Sequence, residues 1–196
     1  AFRETFPREV GQELTWNCAP LSIRGTWNSL TPKFEQELYS DKNQLIQWRC
    51  MAPKATVNLQ LGDSRIMNGV GYADYIEATV DKWTLPIREI RFGRYLTDRE
   101  SFIWIDLAGA FARSWVWRNG IEQPIASITD DIVAIDDNYT LGLAHKKIVR
   151  EGTLGDTISQ SLPALRSMIP KGITGLFDRT WRTRAVLLKS TDEVDT

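Results

Sequence analysis

The sequence predicts an all-β protein, a single antiparallel β-barrel or sandwich domain over residues 1–196, and three observations favour this fold. Apolar and polar residues alternate with a period of two along most of the chain. Turn-forming residues separate these segments at short intervals, as in sandwiches and barrels. Only residues 157–168 carry apolar side chains at helical spacing, and Pro163 makes that helix short or marks its start.

The strands predicted in the first half of the chain end at recognisable turns or breaks. The alternating segments are 14–18, 21–27, 45–51, 54–61, 71–80 and 88–96. Gly62-Asp63-Ser64 ends the strand 54–61, in which Lys54 is predicted to lie on the wet face. The stretch 83–86 interrupts the sheet, because Pro86 cannot donate to a ladder.

The second half of the chain continues the same pattern. The alternating segments are 101–107, 112–118, 132–135, 139–148 and 181–188. Asn119-Gly120 is the strongest hairpin signal in the sequence, and Asp136-Asp137-Asn138 predicts another turn. The predicted helix over 157–168 comes just before the last strand, near the C-terminus.

Charge and hydropathy exclude several functions. The chain has 24 Lys and Arg against 25 Asp and Glu, for a net charge of -1, whereas a nucleic-acid-binding protein normally has a basic excess. No apolar run approaches the ~18 residues of a membrane span. Residues 1–13 are polar and lack the apolar core of a signal peptide. We therefore expect a cytoplasmic protein with no membrane span and no nucleic-acid partner.

A metal or cofactor site is not expected either. His145, Cys18 and Cys50 are the only His and Cys residues, and a structural zinc site needs several such ligands converging. The two cysteines are either buried thiols or one disulfide, and the residues alone leave both open. Any chemistry is therefore expected to depend on ordinary side chains.

Three runs in the middle of the chain resemble a known superfamily. They are GVGYADYIEATVDKWTLPIREIRFGRY (69–95), FIWIDLAG (102–109) and SWVWRNG (114–120). Together they resemble the lipocalin-like superfamily of hydroxyneurosporene synthase (carotenoid 1,2-hydratase) and AttH-type proteins. The resemblance implies a lipocalin-like barrel that handles an isoprenoid or polyketide-like molecule as a hydratase, cyclase or pericyclase. Tyr75 stands where relatives usually have a His after the Gly-Tyr-x-Asp motif.

Asp74 is the first candidate catalytic residue. Its position in the strand 71–80 places it on the face of Tyr72 and Ile76. A carboxylate among apolar neighbours tends to stay protonated or to need a partner, and either state suits a general acid or base. Tyr72, from the same Gly-Tyr-x-Asp run, is a candidate beside it. The alternative is that Asp74 only fixes the fold through a hydrogen bond or an ion pair.

His145 is the remaining candidate catalytic residue. It follows Leu141 and Leu143 in phase, so the pattern places it inside the barrel or at its mouth. A single His could transfer a proton near neutral pH. The alternative is a hydrogen-bonded core or rim histidine without a catalytic role.

The candidate ligand-binding residues are aromatic or charged. Five tryptophans could line an apolar pocket or simply pack the core: Trp48, Trp104, Trp115, Trp117 and Trp181. Asp106 shares a face with Trp104, and Arg94 shares one with Phe92. Each of these two charges could contact a ligand or belong to a structural ion pair, because a buried charge needs a partner.

The sequence thus predicts an enzyme that acts on an apolar small molecule, an isoprenoid or polyketide-like compound, by isomerisation, cyclisation or hydration. Pocket shape and one or two acid–base groups would carry the reaction. Two alternatives stay open: a non-catalytic carrier of a similar ligand, and a barrel with a filled core that serves a structural or interaction role. A cavity with a titratable group in it would favour the enzyme, and a filled interior would favour the last alternative.

Overall fold

The structure is a computed structural model that describes residues 6–19, 22–79, 86–124, 127–135, 139–153 and 177–189. These residues are mostly β-strand, which confirms the all-β prediction. The helix predicted over 157–168 and the turn at Asp136-Asp137-Asn138 lie outside the described residues, as do residues 83–85 of the predicted break. No helix long and apolar enough for a membrane span occurs in the described part of the chain.

The described residues form fourteen strands. They are β1 (Arg8–Val10), β2 (Glu13–Cys18), β3 (Ile23–Ser29), β4 (Phe34–Ser40), β5 (Leu45–Leu61), β6 (Arg65–Thr79), β7 (Ile87–Leu96), β8 (Ser101–Gly109), β9 (Arg113–Arg118), β10 (Ile121–Gln123), β11 (Ser127–Ile128), β12 (Ile132–Ile135), β13 (Tyr139–Thr153) and β14 (Phe177–Lys189).

The strands form three sheets. The first has the order β1-β2-β3-β5-β4, with β6 also paired to β5; the second has the order β10-β9-β8-β7 and the third β11-β12-β13-β14. Within the described residues none of these sheets closes on itself, so the closed barrel predicted from the sequence is not found there.

The chain divides into two compact units, each described here by itself. The first comprises Ala1–Trp83, Leu96–Phe102 and Arg118–Ile121, and the second comprises Thr84–Tyr95, Ile103–Trp117 and Glu122–Thr196. The single domain over residues 1–196 stays a prediction.

The first unit is built around the long β5–β6 hairpin, which turns at Gly62-Asp63-Ser64 as the sequence predicts. Cys50 pairs with Asp74 and Ala55 pairs with Gly71. Between these two pairs β5 therefore advances five residues while β6 advances three. These two extra residues form a bulge, which bends a strand and increases its twist. The segments 45–51 and 54–61, predicted as two strands, are therefore one strand.

Lys54 lies in this bulge, and its predicted position on a wet face is wrong. The residue is only 5% exposed, and its Nζ donates a hydrogen bond to the backbone oxygen of Asp98 at 2.6 Å. The irregular backbone of the bulge moves Lys54 out of the simple alternation that the sequence pattern assumes.

The two halves of β5 bury opposite faces. In the first half Trp48 and Cys50 are buried on the face shared with Asp74. In the second half the apolar residue Val57 lies on the other face, directly opposite Trp27 of β3. Because side chains alternate along a strand, Asp74 shares its face with the aromatic core of the first half.

The Asn119-Gly120 turn connects β9 to β10, which confirms the predicted hairpin. Both residues have left-handed φ values, 51° and 78°, as a two-residue type I′ turn requires. A Cβ added at Gly120 would lie 2.2 Å from the backbone oxygen of Pro32. Glycine is therefore required at this position for both its conformation and its size.

Candidate functional site

Asp74 of β6 receives two hydrogen bonds from aromatic side chains in the first unit. The indole Nε1 of Trp48 donates to Asp74 Oδ2 at 2.8 Å. The hydroxyl of Tyr72, two residues earlier on the same face of β6, donates to the same oxygen. The structure thus brings together three of the residues that the sequence singles out.

The two hydrogen bonds that Asp74 accepts among the described residues leave its second carboxylate oxygen, Oδ1, without a bond. Both recorded hydrogen bonds end on Oδ2, and the residue is solvent-exposed. No ion pair recorded among the described residues involves Asp74, so neutral donors alone hold the carboxylate in place. This arrangement orients the carboxylate through Oδ2.

Cys50 lies directly opposite Asp74 in the ladder and is fully buried. Burial raises the pKa of the Cys50 thiol well above its usual value, and the negative charge of Asp74 raises it further. A nucleophilic cysteine needs the opposite shift, so Cys50 is a packing residue beside the carboxylate. Cys18 is also a buried free thiol, and the two cysteines do not form a disulfide.

The surroundings of Asp74 are apolar on both sides. The ring of Phe34 packs edge-to-face on Trp48, with centroids 5.2 Å apart. Ile76 lies opposite Trp48 in the ladder and is 58% exposed. The carboxylate therefore has a buried Trp48 with its half-buried partner Phe34 on one side and an exposed aliphatic side chain on the other.

The nearby cation lies on the other face of the sheet. Arg49 donates from Nη1 to the hydroxyl of Tyr75 at 2.8 Å, and its guanidinium lies over the ring of the same residue. Its Nε is also 3.5 Å from Glu35. Because alternate residues face opposite ways, Arg49 and Tyr75 are separated from Asp74 by the sheet.

The first unit also has an open groove of about 470 Å³, and its lining is mostly polar. The groove is lined by Phe6, Arg8, Thr15, Trp16, Asn17, Arg24, Gly25, Thr26, Asn58 and Gln60. None of the predicted site residues contributes to it. It therefore lacks the character of the apolar pocket that the sequence led us to expect.

Asp106 in the second unit has ionic partners. Its Oδ2 accepts from Arg91 Nη1 at 2.9 Å, and its Oδ1 accepts from the hydroxyl of Ser114 at 2.6 Å. Arg91 also contacts Glu89 at 3.0 Å and Asp130 at 3.1 Å. The hydrogen bond to Asp106 is the main reason that the pKa of Arg91 is raised.

Arg91 is a residue that sequence reasoning missed, because Arg94 was singled out in its place. Arg94 is exposed in the structure, and Arg91 is the ion-pair partner of Asp106. The turn between β7 and β8 fixes which residues of the two strands lie opposite each other, because Thr97 N donates to the backbone oxygen of Glu100 at 2.8 Å. Counting back from this turn along both strands puts Arg91 opposite Asp106.

Most of the predicted ligand-binding tryptophans are buried. They are Trp48, Trp104, Trp115 and Trp117, with exposures of 1%, 7%, 8% and 3%. Trp104 lies so close to Gly93 that a Cβ added there would be 1.9 Å from its ring. Side chains in such close contact fill a core, and contact with a ligand at these four positions stays a prediction.

Trp181 and His145 are exposed residues of the antiparallel pair β13–β14. Trp181 is 38% exposed, and Lys146 Nζ is 5.6 Å from its ring centre. His145 is exposed, has a φ of 51° and falls where the ladder register shifts between Ala144 and Lys147. An exposed His145 does not point into a packed core, and its predicted place at a barrel mouth stays a prediction.

The chain was compared with protein families, curated proteins and solved structures. No protein-family model, no curated protein and no solved structure matches the chain. Among the described residues, no group of three or more His, Cys, Asp or Glu side chains is arranged to hold a metal ion.

Proposed function

We propose that this chain acts on an apolar small molecule by proton transfer at Asp74, in an isomerisation, cyclisation or hydration. The observation that carries the proposal is the pair of aromatic donors on Oδ2 with Oδ1 left open. A general acid or base must be held within hydrogen-bond reach of its substrate. Two fixed donors orient the carboxylate without balancing its charge by a cation.

The surroundings of the carboxylate support an apolar substrate. Ile76 is exposed beside Asp74, and Trp48 packs behind it. A hydrocarbon chain lying along this face of β6 would cover Ile76 and bring a reacting carbon to Oδ1. The resemblance to enzymes of isoprenoid-like substrates suggests the same class. The lipocalin-like barrel belongs to this proposal, supported by the bulge in β5, because barrel strands bend at bulges.

Solvent deuterium uptake tests the proposal without knowledge of the natural substrate. The protein is incubated in D₂O with geraniol and with a β,γ-unsaturated ketone, and deuterium bound to carbon is measured by mass spectrometry. We expect uptake above the protein-free rate for one of the probes. Asp74→Asn keeps the shape but cannot exchange a proton, so uptake should fall about 100-fold.

The matched control is Asp63→Asn in the β5–β6 turn, which makes the same charge change on an exposed residue outside the site. It should leave uptake unchanged. Equal uptake by the wild type and Asp74→Asn would remove Asp74 from the mechanism, and His145 would be tested next. The absence of uptake with either probe would contradict proton transfer to this class of substrate.

A second candidate function is a non-catalytic interaction module, and the packing of the tryptophans favours it. Trp48, Trp104, Trp115 and Trp117 are all at most 8% exposed, as expected of a filled core. A carrier, by contrast, needs a cavity that these rings would line. If a fluorescent apolar probe shows no saturable quenching of tryptophan emission, the interaction module is preferred.

A further inference from the structure

β6 is a long, exposed sheet edge. Among the described residues it pairs with β5 alone, and its apolar side chains Ile66 and Ile76 are 65% and 58% exposed. Natural edges of this length are usually protected by Pro, Lys or a bulge. β6 contains neither Pro nor Lys, and the extra residues of the hairpin bulge belong to β5.

We propose that β6 pairs antiparallel with β6 of a second copy of this chain, about a twofold axis through Gly71. Such an axis is perpendicular to the sheet and keeps each residue on its own face, so the numbers of paired residues must add to an even value. In the register that we propose, the two residue numbers of each pair add to 142. Arg65 then lies opposite the partner's Glu77 at both ends of the paired segment. Opposite charges across a ladder stabilise pairing.

The same register matches the side chains between these ends. On one face the pairs are Ile66 with the partner's Ile76, Asn68 with the partner's Asp74, and Val70 with the partner's Tyr72. On the other face they are Met67 with the partner's Tyr75 and Gly69 with the partner's Ala73. The two neighbouring registers match less well. The register in which paired numbers add to 140 would put Ile66 opposite the partner's Asp74, and the register in which they add to 144 would put Met67 opposite the partner's Glu77. Charge and apolar complementarity therefore select one register and a second copy as the occupant.

The pairing brings a residue of the second copy to the candidate site. Asn68 Oδ1 accepts from Asn58 Nδ2 at 2.6 Å, which turns the amide so that its own Nδ2 is left to donate. In the dimer this donor faces the carboxylate of the partner's Asp74. Its contribution to proton transfer rests on the function proposed for Asp74, whereas the dimer itself does not.

A charge swap tests the register. Arg65 and Glu77 are twelve residues apart on one strand, roughly 40 Å at about 3.4 Å per residue, so they cannot pair within one chain. Arg65→Glu and Glu77→Arg each place like charges opposite each other twice. Each should raise the dimer dissociation constant at least about tenfold in sedimentation equilibrium. The double variant Arg65→Glu/Glu77→Arg should return it to the wild-type value.

Asp63→Arg in the turn is the matched control, because it makes the same charge change as Glu77→Arg beyond the paired segment and should leave the constant unchanged. A wild-type chain that remains at 22.4 kDa over the whole concentration series would overturn the proposal. So would single variants that still dimerise, or a double variant that fails to recover.

Disulfide cross-linking gives a second measurement that does not depend on the charge variants folding. Ile66→Cys/Ile76→Cys places two cysteines opposite each other across the axis and should give a covalent dimer on a non-reducing gel. Ile66→Cys alone should not, because the two copies of residue 66 lie far apart. An absent dimer in the double variant, or equal cross-linking by the single variant, counts against the register. These mass readouts are independent of deuterium uptake, so failure of the dimer and failure of the Asp74 mechanism are told apart.

Discussion

Asp74 in the first unit and Asp106 in the second are both carboxylates on strand faces with aromatic neighbours, yet their surroundings differ. Asp106 has both oxygens hydrogen-bonded and a guanidinium at 2.9 Å. Asp74 has neutral donors on one oxygen and is exposed. A carboxylate that is paired and bonded at both oxygens stabilises the fold, whereas the role that we propose for Asp74 needs an oxygen that a ligand can reach. The two carboxylates therefore differ in their hydrogen-bond and ion-pair partners, and their similar positions on strand faces do not reveal this difference.

The sharpest test of the second region concerns its packing at Gly93. A Cβ added there would lie 1.9 Å from the Trp104 ring, so Gly93→Ala should lower the free energy of unfolding by about 1–3 kcal/mol, as overpacking usually does. Urea unfolding followed by far-UV circular dichroism measures it. Gly142→Ala is the control, since the nearest atom to its added Cβ is the oxygen of Val186 at 3.8 Å. A cost near zero at Gly93 would mean that Trp104 has space to move, as a cavity wall would allow.

The next expected effect is the loss of the Asp106 ion pair. Asp106→Asn removes the charge that faces Arg91, and the free energy of unfolding should fall by about 1–2 kcal/mol. Arg91 keeps Glu89 and Asp130 as partners, which limits the loss. Glu89→Gln, at a more exposed member of the same network, should cost less than about 0.5 kcal/mol. Deuterium uptake should be unchanged in both variants; a fall in Asp106→Asn would break the contrast with Asp74.

Tyr72→Phe should produce a smaller effect at the first site. The variant loses one of two donors to Asp74 Oδ2, while Trp48 still holds the carboxylate. We expect deuterium uptake to fall about tenfold, roughly the value of one hydrogen bond to a charged group. The urea midpoint should stay close to the wild-type value, since Tyr72 is only partly buried. Tyr75→Phe, on the opposite face, is the control and should keep full uptake.

The sequence predicts the strands well where alternation is regular. β2, β7, β8, β9 and β12 fall within a few residues of the predicted segments. β4 was missed because the ladder register shifts between Glu37 and Tyr39, so its alternation is broken. β5 was divided in two for the same reason, since its bulge interrupts the pattern around Lys54. A bulge cannot be recognised from the alternation of apolar and polar residues alone.

The candidate site was predictable only in part. The phase of β6 places Asp74 and Tyr72 on one face, and the structure adds that Trp48 reaches them from the neighbouring strand. That contact depends on the register between β5 and β6, which the sequence pattern leaves open. The ladder register shifts beside His145, and the alternation of residues cannot reveal this irregularity. Contacts between residues of neighbouring strands can be identified only from the structure, because they depend on the register of the strand pairing.

A third carboxylate, Asp41 in the turn between β4 and β5, extends the comparison to a group held mainly by backbone donors. Its Oδ1 accepts from the N–H groups of Asn43 and Gln44, each at 3.0 Å, and its Oδ2 accepts from the Tyr39 hydroxyl at 3.0 Å. The Asn43 N–H, followed by the Tyr39 hydroxyl, lowers the pKa of Asp41 from its ordinary value. A carboxylate with a lowered folded-state pKa stabilises the protein above its unfolded pKa, about 3.9, and this contribution is lost as the pH falls through the folded-state pKa.

Asp41→Asn should therefore lower the thermal midpoint slightly at pH 7, by less than about 2 °C, because the site is exposed to solvent. The amide oxygen still accepts the backbone N–H groups of Asn43 and Gln44, whereas the amide nitrogen cannot accept from the Tyr39 hydroxyl, so the variant loses the charge and this one hydrogen bond. As the pH falls below the unfolded-state pKa, about 3.9, and through the lowered folded-state pKa of Asp41, the wild-type and variant midpoints should converge, since the wild-type carboxyl becomes neutral. Melting curves at a series of pH values measure the convergence, and Asp63→Asn should show no such change. A difference that stays constant throughout the acid series would mean that Asp41 acts through the shape of its turn and not through its charge.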